Sequence, residues 1–231
     1  MADHHLPGAP PVPLLLRRSA RARRISLRIS QLDGRVTLTL PKGVPEREAL
    51  DFARSKEGWI RDHISARPDQ VEVAPGAQIP VEGTLRTIVA AQGRRVALRA
   101  EEIAVPTGAE ARRLQRYLKE LARDRLVAAS DHYAQALGRN YARITLRDTR
   151  SRWGSCSSEG ALMYSWRLIL APSEVLRYVA AHEVAHLAEM NHSARFWAQV
   201  DRIHGPYEAP RRWLREQGGT LHRFRFESDE G

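Results

Sequence analysis

Pro172-Ser173-Glu174-Val175-Leu176-Arg177-Tyr178-Val179-Ala180-Ala181-His182-Glu183-Val184-Ala185-His186 reads as one helix carrying polar chemistry on its buried side. Pro172-Ser173 opens it, with Ser173 the expected N-cap and Glu174 set against the positive end of the helix dipole. Val175, Val179, His182 and His186 then form one stripe. Two histidines four residues apart project from the same face, one turn above the other, so both imidazoles can reach one ion. Glu183 is rotated about 100° from His182. It therefore sits beside the ion, where it can take a proton from a bound water. His-Glu-x-x-His on a helix is the spacing of metal-dependent peptidases. Histidines on a buried face without an ion would carry unsatisfied polar groups.

A catalytic zinc takes three protein ligands and keeps one position open. Cys156 is the one cysteine, so no thiolate cluster or internal disulfide framework can form, and the ligands must be histidine or carboxylate. His192 ends the run His186-Leu187-Ala188-Glu189-Met190-Asn191-His192 and is the expected third ligand, with Glu189, Glu208 and His204 as rivals. A straight helix would carry position 192 away from the ion. Asn191 tolerates a left-handed turn, so the helix is expected to stop there and fold His192 back, with Ser193 capping the next helix.

Around this segment the chain carries Arg152-Trp153-Gly154-Ser155-Cys156-Ser157-Ser158, Trp166-Arg167-Leu168-Ile169-Leu170-Ala171-Pro172, and Asn191-His192-Ser193 with Phe196-Trp197. With His182 to His186, these motifs resemble the YgjP-like metallopeptidase family, compact zincins similar to the SprT-like proteases. The resemblance runs from about Arg17 to Gly218 and takes in Trp213-Leu214. It implies an α+β zincin-like core, zinc held by His182, His186 and His192, and Glu183 as general base in peptide-bond hydrolysis. Val184 stands where leucine is common, and Ser165 where asparagine is common; the second change bears on hydrogen bonding to substrate. Arg152, Tyr164 and Arg195 are candidate oxyanion stabilisers, each equally well explained by packing or surface roles. Cys156 reads as a packing residue, and Trp153, Trp166, Trp197 and Trp213 as core and cleft walls.

Outward from the site, the chain reads as ordinary globular protein, with 42% hydrophobic and 28% charged residues. Leu14-Leu15-Leu16 is too short to span a bilayer or to serve as a signal core, so no membrane association and a cytoplasmic location are expected. Residues 1–16, with His4-His5 and the proline-rich stretch Pro7 to Pro13, read as a flexible leader. Residues 17–218 read as a single unit, divided into a β-rich portion over 17–108 and the zincin core over 109–218, with a tail over 219–231. Ile25, Leu27 and Ile29, then Val36, Leu38 and Leu40, alternate about Asp33-Gly34 and predict a hairpin. Pro45 to Pro68 predicts one helix carrying Leu50, Phe52, Ala53, Trp59, Ile60 and Ile64. Two to four short strands are expected over 71–105, and a long helix from Ala109 to Leu137 stopping at Gly138. Strands follow at Ile144-Leu146 and Leu162–Ile169, flanking a loop over 151–160, and helices at Ser193–Ile203 and Ala209–Gln217. The core sheet is expected to be small and antiparallel. The Leu162 to Leu168 strand is the expected edge for an extended peptide substrate.

A formal net charge of +10 also suggests nucleic acid as a partner, through Arg17, Arg18, Arg21, Arg23 and Arg24. Since only Lys42, Lys56 and Lys119 are lysines, an arginine-rich composition accounts for the same charge. The alternative function is a nucleic-acid-associated protein with a mainly structural zinc, or a peptidase recruited to nucleic acid. The oligomeric state is not legible.

Overall fold

The structure is a computed structural model that describes residues 4–30, 34–65 and 69–226. The chain divides into two compact units, 1–69 and 70–231. The architecture is α+β, with six helices and several small sheets among the described residues. No described helix is long and apolar enough to cross a membrane.

The first unit contains β1 (His4–Leu6), β2 (Val12–Ser19), β3 (Ser26–Ile29), β4 (Val36–Pro41), α1 (Glu46–Ser55) and α2 (Glu57–Ser65). Its sheet runs β1-β2-β4-β3. The alternation of Val36, Leu38 and Leu40 places all three in the unit's core, and β3 pairs antiparallel with β4 as the periodicity predicts. Of the expected turn, Asp33 lies outside the described residues; Gly34 takes a φ of 68°. The stretch expected as a flexible leader instead supplies two strands. Leu6, Val12 and Leu14 are buried, and β2 pairs in parallel with β4. Prolines at 7, 10, 11 and 13 mask this period-two pattern in the sequence. The expected single helix is broken at Lys56, and Trp59 is 45% exposed instead of joining the core.

The second unit begins with β5 (Val71–Glu72), β6 (Gln78–Val81), β7 (Thr84–Ala91), β8 (Ala97–Leu98) and β9 (Glu102–Pro106), one strand more than expected. Strands β6 to β9 form a sheet of order β6-β7-β9-β8 that shares its core with everything C-terminal to it. The unit boundary falls at 69/70, inside the stretch over 17–108 read as the β-rich portion of a single unit. α3 (Glu110–Leu137) follows, buries Leu114, Leu118, Ala122 and Leu126 at i, i+4 spacing, and ends where Gly138 adopts a left-handed φ of 71°. Next come β10 (Arg143–Arg147), β11 (Gly154–Cys156), β12 (Ala161–Ser165) and a 3-10 turn, Trp166–Leu170. β12 lies between its neighbours, parallel to β10 and antiparallel to β11, so this sheet is mixed and not antiparallel.

α4 (Ser173–Ala185), α5 (Ala194–His204) and α6 (Glu208–Gln217) complete the helices. α4 packs against α3, α5, α6 and β11. Ala180, Ala181 and Ala185 are fully buried, and such small side chains let neighbouring backbones approach a helix covered on nearly every side. The expected tail turns back into the unit: Gly218–His222 forms a 3-10 turn, and β13 (Phe224–Arg225) pairs in parallel with β5. Leu221, Phe224 and Phe226 are buried; residues 227–231 lie outside the described residues.

Candidate metal centre and active site

α4 positions His182, Glu183 and His186. It starts at Ser173, but Pro172 occupies the N-cap, and Ser173 makes no capping bond. The helix ends earlier than the sequence suggests. Its last regular residue is Ala185, and the chain tightens through Leu187 N to Val184 O at 2.9 Å and Ala188 N to Ala185 O at 3.1 Å. Asn191 has no left-handed conformation. The reversal is thus made by a tightened last turn, the regular helix ending six residues before the expected stop at Asn191. Ser193 then caps α5 as expected, its hydroxyl accepting from the Phe196 N–H at 3.4 Å.

This reversal brings His192 back to the two helix histidines. One ligand atom from each of His182, His186 and His192 lies within 4.8 Å of the others, and no fourth His, Cys, Asp or Glu joins the group among the described residues. Nε2 of His192 lies 3.0 Å from Nε2 of His182. Nitrogens bound tetrahedrally at about 2.0–2.1 Å from zinc would lie roughly 3.3 Å apart, so this pair already has nearly the required separation. Nδ1 of His186 is 3.0 Å from the Glu189 carbonyl; donation there leaves the Nε2 lone pair free, the backing that orients histidine ligands. Burial, then the neighbouring histidines, pushes His182 down to about 3. Burial also lowers His186, although its bond to the Glu189 carbonyl opposes this. Neutral imidazoles are the form that binds metal. Nδ1 of His182 is buried without a partner among the described residues. The donor set fits a zinc ion.

Phe196, fully buried, underlies the whole cluster. Its ring centroid is 4.4 Å from that of His186, 4.8 Å from His192 and 4.9 Å from His182. Trp197 stands beside His182 and His192 at 5.7 and 5.9 Å, with the Arg211 guanidinium 4.4 Å from its own ring. The sequence pairs Phe196 with Trp197 but gives no sign that Phe196 sets the positions of all three histidines.

Glu183 is 6% exposed. Burial pushes its carboxyl up to about 8, while the charge of Arg152 opposes the shift. Its side chain lies against Gly154 of β11, where an added Cβ would fall 2.5 Å from Oε1. The glycine in Trp153-Gly154-Ser155-Cys156 is therefore the space that the carboxylate occupies. Its presence beside the motif is visible in sequence; the contact is not.

The remaining candidates separate clearly. Tyr164 is fully buried and its hydroxyl bonds Ser130 at 3.0 Å, so it cannot meet a substrate oxygen. Ser165 is buried as well, its hydroxyl unpartnered among the described residues, and cannot bond substrate. Arg152 and Arg195 are exposed. Burial and then Glu183 push the Cys156 thiol up to about 11, which keeps it protonated and poorly nucleophilic. Of the rival ligands, Glu189 offers only its carbonyl, Glu208 accepts from the Tyr207 N–H, and His204 packs on Tyr133 and Tyr178. β12 is the central strand of its sheet and has no free edge; the strand beside α4 with one is β11.

Comparison with known families matches residues 23–217 to the family described as YgjP-like, metallopeptidase domain. The chain belongs to this family. It is accordingly a metallopeptidase, a hydrolase acting on peptide or protein substrates. Among solved structures it is similar to the metallopeptidase zymogen abylysin of Pyrococcus abyssi, with 20% identity and a TM-score of 0.36 over 40% of this chain and 95% of that one. No curated protein sequence matches the chain significantly.

Proposed function

We propose that this metallopeptidase cleaves peptide bonds at a zinc ion held by His182, His186 and His192, with Glu183 as the general base. The observation that carries the reading is the convergence of three imidazoles, without a fourth described ligand, beside the buried carboxyl group of Glu183. A bound zinc would supply Lewis acidity, polarising the scissile carbonyl and acidifying the attacking water. The positive charge of that zinc would favour the ionised form of Glu183, and the carboxylate then accepts the proton from the water and delivers it to the departing amine. Phe196 keeps the imidazoles in register, and Gly154 leaves room for the carboxylate.

The substrate backbone lies along β11. Trp153 O accepts from Ser165 N, and Ser157 N donates to Ala161 O. The alternation of an antiparallel ladder then turns the N–H and C=O of Gly154 and Cys156 away from β12. An extended peptide can pair with those groups, which aligns its scissile bond past Glu183. Three ligands leave a zinc coordination position open, which favours catalysis over the purely structural zinc of the alternative reading.

Metal analysis paired with peptide-library cleavage tests the proposal. Purified protein should hold about one zinc per chain and cleave peptides in a zinc-dependent way. Full zinc retention by His192→Ala, with loss in Glu189→Ala or Glu208→Ala, would replace the third ligand.

A further inference from the structure

A second region of the same unit has charge and shape that the peptidase site does not use. α3 and the end of β10 line an open groove of about 520 Å³ carrying Arg112, Arg116, Lys119, Arg123 and Arg147. The first four stand at i, i+4, i+7 and i+11 on α3, one face of a helix, and span about 16 Å along its axis. Five cations face two carboxylates, Glu120 and Asp148. Asp148 is already committed to Arg167, which donates to its two oxygens at 2.7 and 3.0 Å. Some arginines elsewhere in the unit are tied down, Arg86 to Val81 O, Arg125 to Glu82 and Arg202 to Ala136 O. Arg112, Arg116, Arg123 and Arg147 are exposed and make no side-chain hydrogen bond or ion pair among the described residues.

We propose that this groove binds the phosphodiester backbone of nucleic acid without reading its bases. A stripe of about 16 Å is too long for a single phosphate and suits a polymer charged at every repeat. Four of the five cations are guanidiniums, whose planar fork matches phosphate oxygens. A polypeptide partner would draw on apolar anchors. The groove offers almost none, since Leu146 is half-buried and the Trp166 at its floor is 1% exposed. That same burial removes Trp166 as a stacking surface for bases, so binding is electrostatic and insensitive to sequence.

The test is fluorescence anisotropy of the full chain with labelled 20-mer single strands and duplexes, titrated from 50 to 200 mM salt. Five phosphate contacts give a slope of log K on log salt of about −4.5 for duplex and −3.5 for single strand, and several hundredfold weaker duplex binding across that range. Arg112→Gln with Arg116→Gln, both exposed and unpartnered, should keep the thermal midpoint and flatten the duplex slope by about 2. Arg17→Gln with Arg21→Gln, removing equal charge from the other unit, should leave the slope unchanged. Equal flattening by both pairs would reduce the effect to diffuse charge and overturn the proposal. So would absent binding at 50 mM salt, or polyglutamate of matched charge competing as well as the oligonucleotide.

Discussion

Gly154→Ala adds one methyl group where the Glu183 side chain leaves no room for it. The new Cβ would lie 2.5 Å from Oε1, 2.6 Å from Cγ and 2.8 Å from Cδ of Glu183. Carbon atoms settle at about 3.5–4.0 Å, so the carboxylate must retreat by about 1 Å. The group that moves is the end of a flexible side chain, and the fold should absorb the change at a cost of about 1–3 kcal/mol, the usual range for overpacking. Catalysis is less tolerant. A 1 Å displacement of a reacting group costs on the order of 10²-fold in rate, and complete loss of a general base about 10²–10⁴-fold. Gly154→Ala should therefore lower kcat at least about 10²-fold while zinc content stays at the wild-type level. Initial rates on a verified peptide, read beside metal content and thermal midpoint, provide the assay. Combining it with Glu183→Gln should add little to either single change, because both remove the same function. Wild-type kcat in Gly154→Ala would refute the reasoning, since the carboxylate would then not need the position it occupies.

Other expectations follow from neighbouring contacts. Phe196→Ala removes the ring beneath all three imidazoles and should cost about 3–5 kcal/mol in stability, with weaker zinc retention in a chelator competition. Phe196→Leu should preserve the fold and still weaken zinc. Arg167→Ala strips Asp148 of its bidentate partner and leaves the carbonyls of Leu221 and Phe224 without their donor; denaturant titration should register a loss of about 3 kcal/mol. Burial, then Arg167, pushes His222 down to about 4, with Asp148 opposing and Arg150 reinforcing the shift. An unfolded histidine titrates near 6.5. Because the folded value is the lower one, this contribution to stability is complete above about pH 6.5 and drains away as the pH falls toward 4. His222→Gln should flatten the stability profile across that window.

The sequence carries the site more fully than the surrounding fold, for a physical reason. His182, Glu183 and His186 lie within one helical turn or so, where spacing alone fixes geometry, and α4 brings them to one place. The third histidine needs a chain reversal. Its existence can be read from His192 and the Ser193 cap, but its mechanism cannot, because tightening after Ala185 leaves no residue-type signature as a left-handed Asn191 would. Periodicity identifies β4 and α3, which bury a regular face. It fails for β1 and β2, where prolines interrupt the pattern, and for β11, three residues long inside a segment that reads as a loop. With β11 hidden in a segment that reads as a loop, β12 reads as an edge strand, although it is the central one of its sheet. Contacts between residues distant in sequence, such as Gly154 with Glu183 or Phe196 with the three imidazoles, have no sequence period at all.

The central claim is that Glu183 performs proton transfer beside the metal without holding it. Glu183→Gln keeps the size and helix propensity of the side chain, but an amide cannot accept the proton at neutral pH. The decisive measurement is the rate at which zinc-loaded Glu183→Gln cleaves a verified peptide. The account predicts zinc retained at about one per chain and a rate lower by at least about 10²-fold. Cleavage at the wild-type rate would contradict it.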